Sequence, residues 1–445
     1  MRVIADFHIH GKYSRATSTR MEINEISRFA AIKGLHLVGT GDFTHPKWFE
    51  ELSKNLVEDE GRCLYVPRNE SLRKRCKVKY MISGEVSTVF EHNNFIKKIH
   101  HVIFTPSLET AVQICDRLNR YGDLSADGRP TLKMTASELV EEVMEVSRYN
   151  MVIPAHAWTP WFSLFGAFSG FDRIEDCYQD ATKYISAIET GLSSDPPMNW
   201  RISALDRFAL ISNSDSHSPW PWRIGREANV FELRRFTYWE IINAIRKRDP
   251  KVLLFTIETN PAYGKYHWTG HRDCKVSLPP KEAIKLGNVC PICHKFLTKG
   301  VEQRVEELAD RPSGYKPPNV PGYIHLLPLS EIISTVIGAS SPNRRRVWKI
   351  YNALISRFGN EYSVLLDASF KEMAEVSDPE IAKAITQVRD SQIVVIPGYD
   401  GVYGRLVFGQ AHEKGKDTVN NRKFTFSSLS FKSKASKQKS LADFI

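Results

Sequence analysis

Val3-Ile4-Ala5-Asp6-Phe7-His8-Ile9-His10 opens the chain as a short apolar run that ends in a carboxylate and two imidazoles. Alternate side chains of an extended strand share a face, so Asp6, His8 and His10 project to one side, and two imidazoles there can grip one cation. An isolated His-x-His pair reads more readily as two histidines satisfied within a core. The rest of the chain argues otherwise. Apolar runs end in ligand-type residues again at Asp42 and His45, at Glu85, at His101, at His156, and at Asp215 with His217. Strand ends are where an α/β barrel gathers its active site, because neighbouring loops open onto one rim. Imidazoles and carboxylates collected there suit two or three zinc, manganese, magnesium or iron ions.

From residue 3 to 257, apolar runs alternate with amphipathic stretches, the rhythm of repeated βα units. Strands are expected at 3–7, 35–40, 80–83, 99–105, 151–155, 186–188, 209–212 and 252–257. Helices are expected at 22–33, 108–120 and 136–147, with Ser107 capping the second and Gly122 ending it. Pro261, Gly264, Gly270, Pro279 and Pro280 then break the rhythm, and Pro312, Pro317, Pro318 and Pro321 mark a second linker. Beyond it, 329–337, 344–358 and 370–388 read as helices. The expected organisation is a barrel over 1–257, a small cysteine-bearing module over 258–312, a helical domain over 313–412 and a flexible basic tail over 413–445.

A chain of 445 residues with 42% hydrophobic content has room for two or three cores. No run is long and apolar enough to span a bilayer, and polar residues interrupt any signal-peptide core at the N-terminus, so a soluble, cytoplasmic protein is expected. Seven cysteines, an odd number, argue against a disulfide framework. A net charge of +10 and a pI near 9.1 favour an anionic partner such as nucleic acid.

Cys290-Pro291-Ile292-Cys293 reads as a zinc knuckle, and His271-Arg272-Asp273-Cys274 supplies an upstream pair. His267 and His294 compete with His271 for the fourth position. Four protein ligands leave no open coordination site, so this zinc is expected to be structural. Trp158, Trp161 and Phe162, with Phe165 and Phe168, form an aromatic loop directly after His156 that would either pack a core or stack on an unpaired base. Arg223 and Arg226 after His217, and Arg344, Arg345 and Arg346 at a helix start, are candidate phosphate clamps.

The ligand pattern resembles the PHP (polymerase and histidinol phosphatase) family over residues 1 to about 257. That resemblance implies a distorted (β/α)-type barrel whose multinuclear metal site hydrolyses phosphate esters. By motif, His8, His10, Asp42, Glu85, His101, His156, Asp215 and His217 match its ligand positions. One departure is Phe43, where the family's second motif carries a histidine; His45 stands in the same loop as a substitute. His100 and His101 face opposite ways on a strand, and His101 matches the family position.

The barrel, the Cys-Pro-x-Cys module, the run 300–311 and the stretch Pro397-Gly398-Tyr399-Asp400-Gly401 together resemble the endonuclease Q family over nearly the whole chain. This resemblance implies an archaeal-type DNA repair endonuclease, a monomer associated with the nucleoid, that cuts 5′ to uracil, hypoxanthine, xanthine or an abasic site. The ending Gln438-Lys439-Ser440-Leu441-Ala442-Asp443-Phe444-Ile445 is similar to the PCNA-interacting box of sliding-clamp clients, with Gln438, Leu441, Phe444 and Ile445 as its anchors. Two rivals are a small-molecule phosphomonoesterase, which has no use for a zinc module or a basic tail, and a non-catalytic clamp-tethered scaffold that binds DNA damage.

Overall fold

The computed structural model describes residues 1–407. The tail 413–445, with Gln438, Leu441, Phe444 and Ile445, lies outside the described residues. No described helix is long and apolar enough to cross a membrane.

The first strand, Arg2–Asp6, is buried from its second residue onward and lies inside the main sheet. It pairs in parallel with Leu37–Gly39 and antiparallel with Ala228–Glu232. On one side the ladder continues through Lys79–His92, Phe95–Thr105 and Met151–Pro154. On the other it runs through Leu253–Glu258 to Gly322–His325. The uniformly parallel pairing that repeated βα units produce is therefore not what forms; the sheet is mixed.

The physical reason for one antiparallel step lies in Asn93 and Asn94, both at positive φ (51° and 63°). Two such residues close a two-residue hairpin turn, so the chain doubles back instead of crossing over. The expected strands at 80–83 and 99–105 become one long hairpin, with Glu85 opposite Val102 and Ser87 opposite His100.

Side-chain alternation builds two cores from the same strands. Val3, Ala5, Phe7, Met81, Phe104 and Ile153 point to one cluster, joined by Ala187, Ala209 and Ile211 of a separate parallel pair, Ala187–Glu189 with Ala209–Ile211. The two sheets thus wrap one interior. Ile4, Val38, Tyr80, Ile82, Ile103 and Val152 point the other way, against helices.

Helix Ile23–Lys33 ends at Gly34, whose φ of 97° is the left-handed conformation that glycine adopts without a Cβ clash. Ser107 caps Leu108–Leu118, which stops before Gly122 at Asn119 rather than running to it. Thr135 and Glu138 form a capping box for Ala136–Val146. The expected helix at 370–388 is two helices, Phe370–Val376 and Pro379–Arg389, because Pro379 takes the first helical position behind the Asp378 cap. The C-terminal helices dock on the mixed-sheet domain through a buried ion pair: Lys33 Nζ lies 2.7 Å from Glu361 Oε1, while Tyr351 donates to the other oxygen at 2.8 Å. A small hairpin, Val394–Ile396 with Arg405–Val407, gave no signal in the sequence.

Candidate metal centre

His8 and His10 follow the first strand directly, and their loop runs beside the loop carrying Asp215: the His10 N–H donates to the Ser216 carbonyl at 2.9 Å. Glu189 sits 3.1 Å from His8 Nδ1 through both oxygens, which turns Nε2 into the pocket. That Nε2 is buried and has no hydrogen-bond partner; it faces Glu85 at 3.6 Å and Asp215 at 3.7 Å. Asp42 fixes His10 in the same way, 3.0 Å from Nδ1, while Nε2 meets Asp215 at 2.9 Å and Glu85 at 3.4 Å.

Ligand atoms of His8, His10, Glu85 and Asp215 all lie within 4.8 Å of one another, as do those of Glu85, His100 and His156. Glu85 belongs to both groups and so can bridge two cations. A buried imidazole nitrogen without a partner costs free energy that a coordinated ion removes. The donor set of nitrogens and carboxylate oxygens suits a divalent metal.

Electrostatics carry the same message. Burial pushes His8 and His10 down, but carboxylates outweigh it, Glu189 and Glu85 at His8 and Asp42 and Asp215 at His10, and hold both imidazoles well above their ordinary pKa. Burial alone would raise Glu85, yet His100, Arg129 and His8 hold its carboxyl well below the usual range.

The histidine pair at 100 and 101 resolves against the expectation. His101 is buried between the Thr88 hydroxyl at 2.9 Å and the Tyr178 hydroxyl at 2.9 Å, so both of its ring nitrogens are engaged away from the centre. Burial pushes it down to about 3. His100 is the one that enters, with Nδ1 2.9 Å from Glu85 Oε1 and 3.2 Å from His156 Nε2. A strand reverses the facing of adjacent residues, so a register error of one exchanges ligand for core.

His45 is corrected as well: it caps helix Pro46–Asn55, accepting from the Trp48 N–H at 3.4 Å, and stacks on Tyr13 at 4.7 Å. Phe43 is fully buried against Gly84, where an added Cβ would lie 2.9 Å from its ring. His156 adopts φ of 31°, its N–H donating to Glu189 at 2.7 Å and its Nε2 lying 3.1 Å from Glu85. Gly191 packs beneath it at a φ of 61°; a Cβ there would come within 2.7 Å of the His156 Cβ. His217 donates from Nδ1 to the Asp215 carbonyl at 3.0 Å and lies 4.3 Å from the His10 ring. Asp6 turns away, accepting from Ser214 and Gly225.

Two participants had been missed. Glu189 ends the run Ala187–Glu189, the same signature that flagged the others. Arg129, whose Nη1 lies 3.1 Å from Glu85, sits in a loop with no pattern to flag it.

Of the aromatic loop, Trp158 is a core residue, 1% exposed and donating to Asn199 at 2.8 Å, which excludes it as a stacking platform. Trp161 is exposed and stacked on Phe168 at 4.9 Å, and Phe162 lies 4.9 Å from the His100 ring at the edge of the centre. Arg226 spends Nε and Nη2 on the Ser214 carbonyl, 3.3 Å from each, and so braces the Asp215 loop. Arg223 and Arg226 also line a cavity of about 350 Å³ with Trp222, Tyr263, Glu331 and Tyr403. Arg344, Arg345 and Arg346 are exposed at the start of helix Arg345–Phe358.

His271, Cys274, Cys290 and Cys293 come together with ligand atoms within 4.8 Å of one another. Cys293 Sγ lies 3.3 Å from His271 Nδ1, whereas His267 faces Glu302 at 3.4 Å. Burial works against the Cys290 thiolate, but N–H groups of Cys293 and Ile292 bring the thiol down to about 6. Contacts with the Cys293 and Cys290 thiols push Cys274 up to about 12, so the neighbouring sulfurs share the load unequally.

A family model described as the MJ0043 C-terminal domain matches residues 328–392. The chain is 34% identical over 258 residues to the uncharacterized protein MJ0043 of Methanocaldococcus jannaschii, covering 57% of this chain and 31% of that protein. It therefore spans about a third of that relative's length, 31%. It is 27% identical over 417 residues to the uncharacterized protein YqxK of Bacillus subtilis, covering 91% of this chain and 99% of that one. Among solved structures it is similar to the lesion-specific endonuclease PfuEndoQ of Pyrococcus furiosus, with a TM-score of 0.81 and 34% identity, covering 91% of this chain and 95% of that chain. It is likewise similar to endonuclease Q in complex with a 27-mer duplex substrate bearing an abasic lesion at the active site, with a TM-score of 0.80 and 34% identity, covering 94% and 99%.

Proposed function

The chain belongs to the endonuclease Q family, and from that premise we propose that it is a PHP-type, metal-dependent DNA repair endonuclease. Its substrate is duplex DNA carrying a deaminated base (uracil, hypoxanthine or xanthine) or an abasic site, cut at the phosphodiester on the 5′ side. The observation that carries this reading is the convergence of His8, His10, Glu85 and Asp215 within 4.8 Å around a buried His8 Nε2 that has no partner.

Divalent ions held there would supply Lewis-acid chemistry, lowering the pKa of water from 15.7 to roughly 7 and neutralising charge on the phosphoryl oxygens. The chain's own residues do the rest. His8, His10, Glu85, His100, His156 and Asp215 hold the ions, with His217 beside His10. Glu189 and Asp42 fix the orientation of the first two imidazoles, as partners beyond the ligands commonly do. Asp215, with 31% of its side chain exposed, stands at the open side, where a phosphate would enter. Arg129 is placed to meet that phosphate with the guanidinium edge that Glu85 leaves free. Trp161 and Phe162 offer aromatic faces to bases beside the cut. Arg223, Arg344, Arg345 and Arg346 hold the backbone, while Arg226 acts through the Asp215 loop.

His271, Cys274, Cys290 and Cys293 bind a structural zinc. The Gln438, Leu441, Phe444 and Ile445 box docks on a sliding clamp of the PCNA type, and the enzyme works as a monomer. Incubating the protein and manganese or magnesium with end-labelled duplexes holding one uracil, hypoxanthine or abasic site tests the activity. A single nick 5′ to the lesion supports it; intact strands, or phosphate released only from small esters, overturn it.

A further inference from the structure

The module that carries the four-ligand zinc group ends in a tip whose surface a structural role does not explain. Phe296 is 82% exposed and Ile292 is 63% exposed, two of the most exposed large apolar side chains among the described residues. Both stand in one hairpin: Val289 bridges to Phe296, and the Cys290 N–H donates to the Lys295 carbonyl at 2.8 Å. Ile284 and Leu286, also exposed, are tied to that hairpin because the Asn288 N–H donates to Ala283 at 2.9 Å and the Val289 N–H to Leu286 at 3.1 Å. Left bare in water, such side chains mark an interaction surface.

Charge decides what covers it. Residues 272–299 carry six Lys and Arg against two Asp and Glu. Lys275, Lys281 and Lys295 are exposed, and none makes an ion pair among the described residues. Residues 408–445 of the chain itself are no match, since they carry eight Lys and Arg against three Asp and Glu. An anionic partner that also offers a strip of apolar atoms fits both features, and the minor groove of duplex DNA is such a surface.

The module is also placed for it. Arg304 on helix Val301–Leu308 donates to the Phe165 and Phe171 carbonyls at 3.1 and 3.2 Å, and Tyr266 meets Trp161 edge-on at 5.4 Å. It is therefore built onto the aromatic loop that borders the metal centre. We propose that Ile292 and Phe296 insert into the minor groove of the duplex flanking the cut, with Lys281 and Lys295 on the bordering phosphates. This second contact extends the proposed endonuclease reading away from the cleavage site.

The test uses the full chain and a labelled duplex with one abasic site. Ile292→Ala with Phe296→Ala, and separately Lys281→Gln with Lys295→Gln, are compared with wild type for Kd, for KM and kcat of nicking, and for bound zinc. With zinc retained, the apolar pair raises Kd and KM by about tenfold, some 1.4 kcal/mol, while kcat stays within about twofold. The lysine pair lowers the slope of log Kd against log salt by about two. Unchanged Kd and salt slope in both variants, with zinc bound, overturn the proposal. Because Kd is read without cleavage, a wild type that binds but nicks nothing counts against the endonuclease reading alone, whereas one that nicks beside indifferent variants counts against the knuckle alone.

Discussion

Two ligand clusters in one chain are assembled in opposite ways. The cysteine group draws His271, Cys274, Cys290 and Cys293 from two short turns of neighbouring chain, and in the proposed reading its four side chains would fill every position of a structural zinc. The candidate catalytic group draws His8, His10, Glu85, His100, His156 and Asp215 from five separate segments and leaves Asp215 partly exposed. Its imidazoles are further held by Glu189 and Asp42, and its bridging carboxylate by Arg129. In the proposed reading, a closed local site would stabilise its own module, whereas an open, distributed site would depend on the whole mixed sheet and keep a position for substrate.

Asp215→Ala or His156→Ala removes a ligand whose charge or nitrogen no neighbour replaces, so nicking falls by about a thousandfold or more, as several kcal/mol of charge stabilisation are lost. Circular dichroism is expected to remain that of wild type. Full activity in either purified variant refutes the assignment.

Next comes the pair in which His101 was chosen over His100. His100→Ala lowers metal content and activity by at least about a hundredfold. His101→Ala leaves the hydroxyls of Thr88 and Tyr178 unpaired inside the barrel and costs about 1–3 kcal/mol of stability, with metal content kept. Metal analysis and thermal melts of the two variants distinguish them; the reverse pattern restores the original expectation.

Acid should weaken the open site. His8 and His10 have raised pKa values in the metal-free protein, so below those values each metal ion must displace their protons. Metal affinity is then expected to rise with pH by about tenfold per unit for each proton displaced. The sign is the same in stability: the metal-free fold loses the contribution of protonated His8 and His10 as pH rises through their pKa, so the gain in Tm on adding metal widens. A metal affinity that does not change with pH would contradict this.

The smallest effect on chemistry belongs to the closed site. Cys290→Ser is expected to release zinc and loosen the module while the barrel keeps its own metals. Catalysis at saturating DNA changes by only about a few-fold, since a structural zinc contributes folding free energy rather than chemistry. Zinc content measured beside kcat decides it.

What the sequence revealed and what it hid follow from the same physics. The convergence of His8, His10, Glu85, His156 and Asp215 at the ends of apolar runs was legible because strand and loop positions repeat with a period that a reader can follow. His101 was chosen over His100 by family motif, and the choice fell on the wrong residue because a long hairpin fixes their facing through a turn at Asn93 and Asn94 whose register the pattern does not state. His45 failed because an imidazole serves equally as ligand or helix cap, and only the fold chooses. Arg129 and the core position of Trp158 depend on contacts between distant segments. The meeting of His271, Cys274, Cys290 and Cys293, being local, needed little more than their spacing.

The most direct measurement is strand scission of an end-labelled duplex with one abasic site, run with manganese, with a chelator, and with Asp215→Ala. A nick 5′ to the lesion is expected in the first case and intact strands in the other two. A nick that survives both the chelator and the substitution would contradict metal-dependent cleavage.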